Sequence, residues 1–149
     1  MFHRVLVSLD STPLSAKVLA AALRVADPDG EVIALRIQAE ATPLTNSAAV
    51  RTELDIIDAE THEVLRRATA AAAALGQTAS VRAEVRSGPV EGTILEAATD
   101  LEVDLIVMGT HGRKGLTEQV TGSVTERVAA RAAASVFVVK AAGYPFLQD

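Results

Sequence analysis

Leu105-Ile106-Val107-Met108 is a continuous apolar run, closed by Gly109. A strand with one face in water alternates apolar and polar residues, so an unbroken run marks a strand covered on both faces. Such strands belong to parallel sheets flanked by helices, and that constraint organises the rest of the chain. Val5-Leu6-Val7-Ser8-Leu9 and Val32-Ile33-Ala34-Leu35-Arg36-Ile37 read as two more interior strands. Val81, Ala83 and Val85 alternate with Arg82, Glu84 and Arg86, the pattern of a strand nearer a sheet edge, and Val136-Phe137-Val138-Val139 reads as a fifth strand.

Helical spacing fills the intervals. Leu14, Val18, Ala21, Ala22 and Val25 mark one face of a helix, with Ser11-Thr12-Pro13 supplying an N-cap and a proline near its first position. Asp27-Pro28-Asp29-Gly30 reads as a stop and turn. The polar stretch from Gln38 to Ala49 reads as a mobile loop; a long helix through Leu54, Ile57, Thr61, Val64, Leu65, Ala68, Ala72 and Leu75 follows, with Gly76 as its C′ stop. Ser87-Gly88-Pro89 opens a helix carrying Val90, Ile94, Ala97, Ala98 and Leu101, and a last helix carries Val124 and Val128. Strands alternating with helices over all 149 residues predict one α/β domain, 1–149, with a mostly parallel sheet. The tail from Gly143, aromatic relative to the rest, is expected to be disordered, with docking on a partner subunit as the alternative.

Composition bounds the function. A net charge of −5 and a pI near 5.2 argue against a broad nucleic-acid or anionic-membrane surface. The chain has no cysteine, which removes disulfide and thiol chemistry. No apolar run spans a bilayer and Met1–Asp10 carries no signal-peptide core, so a soluble cytoplasmic protein is expected.

Past the Leu105–Met108 run the chain carries the skeleton Gly109-x2-Gly112-x9-Gly122-Ser123. Glycines permit positive φ and close approach, and successive N–H groups in such a loop can cradle an anion. Gly122-Ser123 stands at the start of a helix, where free N–H groups and the positive dipole end favour a second anionic contact. Three turn glycines and a helix cap explain the same residues with no ligand, and spacing alone leaves the two readings level. The skeleton is neither a Walker loop nor a dinucleotide fingerprint.

Other chemistry is sparse. His3, His62 and His111 lack metal-ligand spacing, and no nucleophile–base or carboxylate pair can be read. Arg113 is expected to neutralise phosphate charge, Lys114 to face water, and Asp104 to serve the structure. A receiver domain needs a phosphoacceptor aspartate after its third strand, where this chain has Arg86-Ser87.

VLVSLD at the start, SGPVEGTILEAA in the middle, VDLIVMGTHGRKGL and GSVTERV together resemble the universal stress protein family over nearly the whole chain. The complete G-x2-G-x9-G-[ST] pattern is the mark of that family's ATP-binding branch. The resemblance implies an open five-stranded parallel sheet of order 3-2-1-4-5 with helices on both faces, and a nucleotide at the switch point between strands 1 and 4. Carried over by position, Asp10 matches the acidic residue contacting the nucleoside and Ile37 a residue whose backbone meets adenine. Gly109, Gly112 and Arg113 match the phosphate loop, and Gly122, Ser123, Val124 and Thr125 the second phosphate contact. Two departures stand out: Asp10-Ser11-Thr12 replaces Asp-Gly-Ser, and Thr121 replaces a common leucine. The resemblance implies ATP with Mg²⁺ or Mn²⁺ held mainly by the phosphates, and a homodimer through Val136, Phe137, Val138 and Val139. With no base or water-positioning residue in sight, the expected role is a stress-response switch with little or slow hydrolysis. The alternative is a nucleotide-free dimeric interaction protein of the same fold.

Overall fold

The computed structural model describes the backbone of residues 1–10, 12–38, 47–74, 76–110 and 123–140, and their side chains except 47–58, 60, 71 and 123. Along these residues run β1 (Phe2–Leu9), α1 (Leu14–Val25), β2 (Ala26–Gln38), α2 (Ser47–Ala74), β3 (Ser80–Ser87), α3 (Val90–Asp100), β4 (Leu105–Gly109), α4 (Ser123–Arg131) and β5 (Ser135–Val139). Every ladder is parallel, and the strand order is β3-β2-β1-β4-β5, as expected.

Alternation inside the apolar runs assigns each strand residue to a face. Val5, Val7, Leu9, Val32, Ala34, Leu105 and Val107 meet Val18, Leu19, Ala22 and Leu23 of α1 and Ala68 and Ala72 of α2. Leu6, Ile33, Leu35, Ile106 and Met108 meet Ile94, Ala97 and Ala98 of α3 and Val128 of α4. Each fully buried Val, Leu or Ile side chain among these contributes roughly 1.5–3 kcal/mol by leaving water. With both faces covered, the continuous apolar runs have their physical explanation. Among the described residues, no helix is long and apolar enough to cross a membrane.

Three local expectations are corrected. Asp27–Gly30, read as a turn, lies inside β2: Phe2 pairs with Ala26 and Arg4 with Glu31, so residues 27–30 bulge opposite His3. Turn chemistry and a bulge look alike in sequence because both use residues that leave the ladder. The helix expected from Leu54 begins at Ser47, inside the stretch read as a loop. At the head of α1 the cap position is Pro13, with no side-chain cap bond. Thr12, expected in the cap, turns back to Asp10 instead. At the far end of α2, Gly76 takes φ +83° and its N–H reaches the Ala73 carbonyl at 3.0 Å, the expected left-handed closure.

β3 is an edge strand, and charge protects it. Arg82 pairs with Glu31 and Glu84, and Arg86 with Glu84 and Asp100. The hydrogen bond to Asp100, then that to Glu84, holds the Arg86 guanidinium above its ordinary value. Arg86 is thus part of an ion-pair ladder where a receiver would carry its phosphoacceptor.

Candidate functional site

β1 and β4 pair from Val5↔Leu105 to Val7↔Val107. Beyond that point β1 continues against β2 to Leu9↔Arg36, and β4 continues against β5 to Gly109↔Val139. The two central strands therefore part at their carboxyl ends, where the winding of the sheet reverses. In open α/β sheets a crevice at such a switch point is where ligands bind.

Asp10 follows β1 at one lip of the crevice. Its Oδ1 accepts the Thr12 N–H at 2.8 Å, the Thr12 hydroxyl at 2.5 Å and the Ser15 hydroxyl at 3.0 Å. Ser15 Oγ also accepts the Asp10 N–H at 2.9 Å and lies 2.7 Å from the Asp10 carbonyl, so its one proton is shared between two acceptors. This is an Asx-type turn tying the end of β1 to the first turn of α1, and it fixes the plane of the carboxylate. Ile37 stands one residue past the last β1–β2 pair, partly buried against the α3/α4 core.

Gly109 ends β4, but not for the expected reason. Its φ is not positive; Gly76 and Gly88 are the described glycines that are. A Cβ on Gly109 would stand 2.7 Å from Leu14 Cδ2 and 3.3 Å from Val18 Cγ2. Close approach of α1, and not backbone freedom, is what this position demands. The Gly109 carbonyl accepts the buried Thr125 hydroxyl at 3.3 Å, which pins the first turn of α4 to the end of β4. Ser123 is the first residue of that helix, and Val124 is partly buried against the α3/α4 core. The first N–H groups of a helix have no intrahelical partner and carry its positive dipole end.

The structure thus brings Asp10, Ile37, Gly109, Ser123, Val124 and Thr125 to the carboxyl edge of the sheet. Gly112, Arg113 and Gly122, like His111, lie outside the described residues. Asp104 lies at the opposite edge, where its carboxylate accepts the His3 N–H at 2.9 Å and the Arg4 N–H at 2.8 Å. Burial opposes its charge, but the N–H groups of His3, Arg4 and Asp104 itself, with the nearby His3, outweigh burial and hold its carboxyl below the ordinary 3.8. Among the described residues, no cluster of three histidines, aspartates or glutamates could hold a metal ion.

Four residues of this edge escape sequence reasoning. Ser15 looks like an ordinary helix residue until the chain folds back on Asp10. Arg36 and Gln38 are buried at the carboxyl end of β2, and a basic residue interrupting an apolar run was the available signal for Arg36. Thr110, between Gly109 and the rest of the glycine segment, is buried; its N–H reaches the Val139 carbonyl at 3.0 Å. Its hydroxyl has no hydrogen-bond partner among the described residues.

Comparison with known proteins gives one family. The model of the universal stress protein family matches residues 1–140. Universal stress protein YxiE of Bacillus subtilis is 33% identical over 152 residues, covering 94% of this chain and 100% of that protein. Universal stress protein MJ0531 of Methanocaldococcus jannaschii is 30% identical over 144 residues, 94% of this chain and 83% of its own. Among solved structures, hypothetical protein MJ0577 superposes with a TM-score of 0.67 at 26% identity, over 95% of this chain and 97% of that one. A universal stress protein in complex with cAMP superposes with a TM-score of 0.70 at 23% identity, over 93% and 97%.

Proposed function

Because this chain belongs to the universal stress protein family, we propose that it is a nucleotide-dependent regulatory protein that binds ATP at the parted ends of β1 and β4. The observation that carries this reading is the parting itself: the β1–β4 ladder stops at Val7↔Val107 while both strands run on against their other neighbours. Asp10 takes the nucleoside and Ile37 the base by its backbone. Gly109, Gly112 and Arg113 form the first phosphate contact, and Gly122, Ser123, Val124 and Thr125 the second. Mg²⁺ or Mn²⁺ is held mainly by the phosphates. The solved relative bound to cAMP, another adenine nucleotide, supports the ligand class.

Positioning and charge stabilisation carry most phosphoryl-transfer catalysis, and a base or water-positioning group is missing from the named set. The protein is therefore a cytoplasmic switch: steady-state ATPase stays well below the roughly 1–100 s⁻¹ of kinases. Occupancy slows hydrogen exchange across 109–122 and 38–49, changing the surface that a partner meets. Fast turnover would make it an enzyme, and unchanged exchange in both segments a passive binder.

Two observations favour the nucleotide-free alternative, a dimeric interaction protein. Gly109 makes room for Leu14, and Asp10 closes a local turn, so both have work in the fold without a ligand. Mass spectrometry of small molecules released from freshly purified protein separates the readings. Stoichiometric ATP or another adenine nucleotide supports the switch; protein that carries none and binds none when ATP is added supports the alternative.

A further inference from the structure

One carboxylate joins α3 to α4. Glu91, in the first turn of α3, accepts an N–H of Arg131 at 2.9 Å through Oε2, and its Oε1 stands 3.7 Å from Arg127 Nε. The Glu91 side chain is 21% exposed. Arg127 and Arg131 lie four residues apart on α4, where like charges repel, and the carboxylate that meets both offsets that repulsion. Behind Glu91, the Gly88 N–H donates to the Gln38 carbonyl at 3.1 Å, which fastens the start of α3 to the carboxyl end of β2.

α4 needs such a fastening. Its nine residues are too few to form a stable helix alone in water. The Thr125 hydroxyl ties its first turn to the Gly109 carbonyl with a long bond of 3.3 Å. Its inward face, Val124 and Val128, is apolar, and apolar attraction has no direction. Packing therefore settles which face of α4 turns inward, while the ion pairs settle how far its first turn reaches along the sheet.

We infer that Glu91 is a positioning residue: by gripping Arg127 and Arg131 it holds the amino end of α4 at the height where phosphate meets it. This rests on nucleotide binding at the β1/β4 crevice, and it couples the end of β2 to α4 through α3. Ion pairs to exposed arginines add little to global stability. Apparent affinity, however, falls with the fraction of molecules whose site is in its binding arrangement. The competing explanations are a surface ion pair without effect on binding, and a negative charge that merely repels phosphate from a distance.

Calorimetry with ATP and with adenosine on the full chain, Glu91→Gln, Glu91→Lys and the exchange Glu91→Lys/Arg131→Glu separates these, with urea melts to confirm folding. Glu91→Gln is expected to lose roughly two- to fivefold in ATP affinity, the range open to a pair of this exposure. Glu91→Lys loses more, although it adds positive charge; the exchange, which keeps the parent's net charge, recovers most of that loss. Adenosine, lacking phosphate, binds all four alike. ATP affinity that is unchanged or raised in both single variants overturns the inference, as does an equal loss for ATP and adenosine or an exchange that recovers nothing. In each of these cases nucleotide binding stands. A parent protein that binds neither compound defeats the nucleotide reading and this inference with it.

Discussion

At the scale of single residues, Asp104 and Gly109 do different things with equally local means. The Asp104 carboxylate ties the start of β4 to the backbone of His3 and Arg4. Its pKa is lowered on folding, so its stabilisation is fully present above the unfolded value and is lost as pH falls through the folded one. Asp104→Asn keeps one acceptor and loses the charge, and urea melts near neutrality should show about 1 kcal/mol less stability. That difference should shrink once pH drops below the ordinary value of 3.8. A gap that stays constant into acid would show that charge plays no part. Gly109→Ala places a methyl 2.7 Å from Leu14 Cδ2, the mobile end of a side chain. The expected loss is about 1 kcal/mol, at the low end of overpacking costs, with an unchanged denaturant slope. Sequence identifies both positions, giving Asp104 a structural role and Gly109 a choice between phosphate cradle and turn, neither of which is the close approach of α1. A glycine that admits a neighbouring helix looks the same in sequence as a glycine that cradles phosphate.

Among the elements, the two sheet edges contrast. β3 carries Arg82, Glu84 and Arg86 in ion pairs, which discourages addition of another strand. β5 instead shows Phe137, 40% exposed, between the partly buried Val136 and Val138. An apolar edge strand tends to be covered, and the dimer expected through β5 would cover it. Light scattering at micromolar concentration should give a dimer for the parent and a monomer for Phe137→Lys, with a cooperative melt retained. A monomeric parent would end the dimer proposal. Elements buried on both faces are legible in sequence because burial writes a continuous apolar run. The first turns of α2 and the bulged start of β2 carry no such imprint, so their limits emerge only from the folded chain.

For the molecule as a whole, topology turns scattered residues into one site. Asp10 and Gly109 are about a hundred positions apart in sequence, yet each closes one of the two strands that separate at the reversal of winding. Thr125 then brings the amino end of α4 to the same place. The order β3-β2-β1-β4-β5 followed from family resemblance; what resemblance did not convey is where the central ladder stops and which hydroxyls gather there. Binding of ATP in this crevice is the central claim. It is tested most directly by calorimetric titration of ATP into the parent and into Gly122→Val, which puts a β-branched side chain immediately before Ser123, the first residue of α4. The parent should bind one ATP per chain, and the folded variant should lose at least about tenfold in affinity, as expected when a phosphate can no longer approach helix N–H groups. Equal affinity in the two folded proteins, or no binding by the parent, would contradict it.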